Sequence, residues 1–126
     1  MKRLLSLSIV AIAALALAAD AITPSAIMKS PDKFDKKVVT VSGIVKKFNS
    51  RISKAGNKYF TFDLTSGKDK VSVYSHGQLE KDLMDGTKVE VKGTFVKEKT
   101  VGKSTYKNEI DCSGKKGEKP NLKVIK

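Results

Sequence analysis

The sequence predicts a small all-β protein, a closed or nearly closed barrel of five strands, and three observations carry that prediction. Val39-Thr-Val-Ser-Gly-Ile-Val45 alternates apolar and polar residues with a glycine inside the run. Val89-Glu-Val-Lys-Gly-Thr-Phe95 repeats the pattern about fifty residues later. Two further alternating runs, Lys58 to Leu64 and Lys70 to Tyr74, lie between them. Period-two alternation marks strands with one buried face. A glycine inside a strand is costly unless the chain bends there or another backbone approaches, and small barrels need such bends.

The chain of 126 residues opens on an address rather than on fold. Lys2 and Arg3 precede an apolar run from Leu4 to Ala19, and small residues follow through Ala21. That is the layout of a secretory signal peptide, and the run is short for a membrane span. The expected segments are a signal peptide over 1–21, a lead-in over 22–37, a barrel over 38–112 and a basic tail over 113–126. Cleavage is expected after Ala21, with Ala18 as the alternative, which places the mature protein in the periplasm or outside the cell without a membrane span. What remains suffices for one domain. Because Lys2, Arg3 and Asp20 leave with the leader, the formal charge of +12 falls by one. A lone Cys112 makes no disulfide within the chain, so apolar burial must hold the core together.

Thr23-Pro24 reads as a helix start, cap then first-turn proline, with Ile27 and Met28 inward and an end near Ser30-Pro31. Phe34 is expected against the barrel. Strand one runs from Val38 to Phe48, and Asn49 to Asn57 is a basic hairpin loop. Strand two, Lys58 to Leu64, turns its Phe60, Phe62 and Leu64 inward. Strand three, Lys70 to Tyr74, does the same with Val71 and Val73. Gln78 to Met84 is expected as a helical turn with Leu79 and Leu83 on one side. Strand four, Lys88 to Lys97, buries Val89, Val91 and Phe95. A second basic loop, Glu98 to Ser104, leads to strand five, Thr105 to Cys112, where Tyr106 shares the parity of Ile110 and reads as core-edge. The tail reads as mobile, with Leu122 to Ile125 a candidate edge strand.

The order of three strands, a short helix and two strands, with glycines in strands one and four, resembles the OB-fold, a five-stranded Greek-key barrel. The likeness is to the exported, single-domain bacterial kind grouped with nucleic-acid-binding, tRNA-anticodon-like OB-folds. Its residues are Ser30-Pro-Asp-Lys-Phe-Asp-Lys-Lys-Val-Val39, Val41-Ser-Gly43, Tyr59-Phe-Thr-Phe-Asp-Leu64, Val71-Ser-Val73 and Asp85 through Gly93. It is one of pattern over about residues 30–112.

On that plan a nucleic-acid site would use the outer surface of strands two and three, with the strand 1–2 and 4–5 loops beside it. The candidates are Tyr59, Thr61 and Tyr74, with Ser72, on the surface. Lys46, Lys47, Arg51, Lys54 and Lys58 flank one side, and Lys97, Lys99, Lys103 and Lys107 the other. Aromatics stack bases and lysines neutralise phosphates, so the expected partner is single-stranded nucleic acid or another polyanion, bound without sequence preference. Arg51 is the only arginine beyond the leader, which argues against base-specific contacts. The alternative is a structural or envelope-interaction domain whose lysines serve solubility and blunt strand edges. Phe48 stands open between stacking and packing.

His76 is the only histidine and has no ligand-spaced cysteine or carboxylate beside it; it reads as a surface residue. Neither metal nor cofactor is implied. Val71 to Gly86 is similar to a segment of another exported OB family, the periplasmic haem chaperones of cytochrome c maturation. That family's C-terminal haem-attaching histidine and neighbouring tyrosine have no counterpart, since neither residue type follows Cys112. The departure argues against haem delivery and leaves haem or small-ligand binding in the barrel mouth as a weaker alternative. No nucleophile motif accompanies His76, and the calcium-binding carboxylates and paired arginines of staphylococcal-type nucleases are not matched. The expectation is a non-enzymatic binding module.

Overall fold

The computed structural model describes residues 21–125; the proposed leader lies outside the described residues except for Ala21. Two short helices, α1 (Pro24–Lys29) and α2 (Pro31–Phe34), precede β1 (Lys37–Ile52), β2 (Lys58–Ser66), β3 (Asp69–His76), β4 (Lys88–Val101), β5 (Ser104–Asp111) and β6 (Leu122–Val124). The strand order β1-β2-β3-β5-β4 closes on itself through β1–β4 pairing. All neighbours in that ring are antiparallel except β3 and β5, which run parallel. This is the five-stranded Greek-key barrel the sequence predicts, with β6 added alongside β4.

Both internal glycines sit where a long strand changes partner. β1 pairs with β4 from Lys37 to Ile44 and with β2 from Ile44 to Ile52. A Cβ on Gly43 would stand 2.8 Å from the Thr65 carbonyl oxygen. β4 pairs with β1 up to Phe95 and with β5 from Thr94 onward. A Cβ on Gly93 would collide with the Asp111 carbonyl. Each strand must curl from one neighbour onto the next, and at the crossing only hydrogen fits.

The predicted inward residues meet inside the ring. Val41, Val45, Phe60, Leu64, Val73, Val89, Val91, Phe95 and Ile110 are fully buried, with Val71, Phe62 and Val39 nearly so. α1 closes one end: Thr23 caps it by accepting the Ala26 N–H, and Ile27 is fully buried. Ser25 fastens the helix to β2, its hydroxyl 2.7 Å from that of Ser66. Pro31, the expected stop, also opens α2, whose Phe34 packs on the core.

Four expectations need correction. Gln78 to Met84 does not form a helix. Its C-terminal flank is tied to β1 instead: the Gly86 N–H donates to the Val45 carbonyl and the Asp85 carboxylate accepts from the Lys47 N–H. Leu79 and Leu83 still reach the core while Met84 faces solvent. Neither basic loop is as long as expected, because Asn49 to Ile52 pairs with β2 and Glu98 to Val101 with β5. What remains of the second is a two-residue turn with Gly102 first at φ 62, the position where such hairpins favour glycine. Tyr106 is not core-edge: Asn108 adopts φ 52 and breaks the alternation, so Glu109 and Ile110 are both buried while Tyr106 is 45% exposed. The tail is anchored from Asn121 on, which bonds to Cys112 and Lys92 through its backbone.

Candidate functional site: an aromatic-floored groove

The outer faces of β2 and β3 carry the residues their alternation leaves over from the core. Register places them in rows: Tyr59 beside His76, Thr61 beside Tyr74, Asp63 beside Ser72. The parallel pairing adds Asp111 next to Tyr74 and Glu109 next to Ser72. The extended β1–β2 and β4–β5 hairpins rise beside this surface as two arms. Between them lies a groove of about 550 Å³, within the size range of small-ligand sites. Tyr74, with Phe62 and Val73 beneath, forms its floor; Lys47 borders it on one arm and Lys99, Val101 and Tyr106 on the other. A second cleft, lined by Lys58, Tyr59, Tyr74 and His76, adjoins it. The Tyr59 and Tyr74 rings are 5.7 Å apart, and His76 meets Tyr74 edge-on at 6.3 Å.

The charges are sorted. Glu109 is 9% exposed and holds the Lys99 ammonium at 2.6 Å. That hydrogen bond raises the Lys99 pKa above its ordinary value against the opposing effect of burial, so Lys99 is a cation at every physiological pH. Its Nζ also stands 5.7 Å from the Tyr74 ring centroid, within cation–π range. Asp63 is paired with Lys70, and Asp111 accepts from the Ser113 N–H. Burial, then the Asp111 charge, pushes the Tyr74 phenol above its ordinary pKa, so it stays neutral. Among the described residues Lys47 has no ion-pair partner. The groove therefore offers aromatic faces, a neutral phenol and cations at its borders, with Glu109 and Asp63 paired to lysines and Asp111 held by a backbone N–H.

Of the twelve residues singled out from sequence, Lys47, Thr61, Tyr74 and Lys99 line the groove, and Lys58 and Tyr59 line the adjoining cleft. Lys46, Arg51, Lys54, Lys97, Lys103 and Lys107 line neither. Lys97 reaches Asp32 on α2 at 2.7 Å. Lys58 donates to Gln78 at 3.0 Å. Phe48 is a packing residue, its ring centroid 5.4 Å from that of Phe60. A bulge between Lys46 and Asn49, with Lys47 at φ 57, turns Phe48 inward and Lys47 to the groove. Sequence reasoning passed over His76, Tyr106, Glu109 and Asp111. Alternation from Tyr74 would have put His76 on the same face, whereas the Asn108 kink that brings Tyr106 there leaves no signal in the pattern.

Among the described residues no cluster of three or more histidine, cysteine, aspartate or glutamate side chains forms a metal site. Cys112 is fully buried, and burial with the nearby Asp111 pushes its thiol up to about 12, so it stays a protonated core residue. No described helix is long and apolar enough to cross a membrane.

No curated protein matches the chain. A scan against protein families finds the CcmE domain over residues 19–106. That is the haem-chaperone family compared above, not the nucleic-acid-binding group. The expectation of a nucleic-acid or general polyanion partner is corrected accordingly: it rested on lysine count and barrel type, and both are shared by barrels with unrelated ligands. With its match spanning most of the sequence and the barrel intact, the chain belongs to the CcmE domain family.

Proposed function

We propose that the protein binds haem reversibly as cargo in the groove over Tyr74, outside the cytoplasm. The observation that supports this most is the composition of the groove: an aromatic floor at Tyr74 with Lys47 and Lys99 at opposite borders, on a CcmE-domain barrel. A tetrapyrrole has an apolar face for the Tyr74 ring, which Phe62 and Val73 back from the core, and anionic propionates for the two ammonium groups. The net charge, +12 for the full chain and one less without the leader, adds a long-range pull on a dianion. Covalent attachment is not part of this reading. Nor is a catalysed step. The hydroxyls nearest His76 are committed to backbone, Ser75 donating to the His76 carbonyl and Ser113 accepting the His76 N–H.

Fluorescence titration with metal-free protoporphyrin IX isolates the groove from iron chemistry. Tyr74→Ala is expected to weaken binding about tenfold, the scale of one lost aromatic stacking contact, and Lys47→Gln by a few-fold. Unchanged affinity in a folded Tyr74→Ala protein would refute the groove as the site.

A further inference from the structure

Tyr59, Tyr74 and His76 form a continuous aromatic row, and His76 is the one member whose ring carries a metal-ligating atom. It lines both the main groove and the adjoining cleft, so its ring stands at the seam between them. Its backbone is pinned. The N–H donates to Ser113 Oγ at 3.0 Å and the carbonyl accepts from Ser75 at 2.8 Å. Gly77, at φ 99, turns the chain away directly afterwards, its N–H donating to the Lys58 carbonyl. Among the described residues no hydrogen bond engages the imidazole itself. A strand end thus presents an uncommitted imidazole at a fixed position beside an aromatic floor. No other histidine exists in the chain to compete for that role.

We infer that His76 is the residue that takes the iron of haem held in the groove, through an imidazole nitrogen. This rests on the haem reading above. Imidazole is a good ligand for iron in both common oxidation states. The bond is a coordination bond: the nitrogen lone pair fills one axial position, no electron or leaving group is transferred, and the cargo remains removable. A ligand on β3, rather than on the tail, makes loading independent of the segment after Cys112.

The test pairs two probes on the wild type and His76→Ala, whose substituted side chain is exposed and outside the core. Metal-free protoporphyrin IX should bind the variant only a few-fold more weakly, the loss of one wall contact beside Tyr74, because it has no iron for His76 to hold. Ferric haem should lose at least about a further tenfold beyond that, the low end even for residues that act on a metal indirectly. The absorbance and electron paramagnetic resonance signature of imidazole ligation should vanish in the variant and return on adding free imidazole. Identical haem spectra in wild type and variant would overturn the assignment while leaving the groove standing. Failure of the wild type to bind metal-free protoporphyrin would overturn the groove, and the inference with it.

Discussion

Gly93→Ala should be the most damaging small substitution in the barrel, lowering stability by about 3 kcal/mol or more, at the upper end of overpacking effects. The added methyl would meet the Asp111 carbonyl oxygen, its carbon and the Cys112 Cα, all backbone. Those atoms lie at the end of β5 and just beyond it. Asp111 pairs with Thr94 of β4 and with Tyr74 of β3, so it cannot retreat without loosening both ladders. Gly43→Ala is the internal control. Its methyl would meet the Thr65 carbonyl oxygen at 2.8 Å, but its other close neighbours are Leu64 side-chain atoms at 3.0 and 3.2 Å, which can yield. Urea unfolding should rank wild type above Gly43→Ala and Gly43→Ala above Gly93→Ala. Equal losses would show that the strand crossings do not differ in rigidity.

Phe60→Ala should cost about 3–5 kcal/mol, the usual range for a buried phenylalanine truncation. Phe60 is fully buried and packs with Phe48 at 5.4 Å and Phe62 at 6.3 Å between ring centroids. Phe48 comes from the bulged part of β1, so removing Phe60 also strips the contact that holds that arm inward. The same substitution should weaken porphyrin binding at temperatures where the barrel stays folded, because Lys47 borders the groove from that bulge. A loss below 1 kcal/mol would mean that the cluster collapses around the cavity.

Much of the barrel was legible because one face of each strand is apolar and the other is not. Phe60, Phe62, Leu64, Val71 and Val73 followed from alternation alone, and Gly43 and Gly93 marked the crossings. The illegible parts are those where local pattern and pairing part company. Polar stretches at Asn49 to Ile52 and Glu98 to Val101 read as loops, yet a hairpin arm needs only backbone pairing and asks little of its side chains. Two left-handed residues, Lys47 and Asn108, reverse which side of the strand faces out, and neither residue type announces it. Leu79 and Leu83 have helical spacing, but their segment is irregular with bends at Glu80 and Lys81, and Asp85 and Gly86 tie its end to β1. The site was half visible for the same reason. Tyr74 and Thr61 came from strand parity, whereas Tyr106 needed the kink. The choice of ligand was not written in the lysines at all.

Mapping backbone amide shifts of the ¹⁵N-labelled protein on titration with metal-free protoporphyrin IX tests the central claim most directly. The largest changes should fall on Thr61, Ser72, Tyr74 and His76, with Glu109 and Val101 on the facing arm. A different cleft, about 360 Å³ between Leu79, Leu83, Leu122 and Val124, lies elsewhere on the surface. Shifts gathered there, with Tyr74 and its neighbours unmoved, would contradict the assignment of the groove.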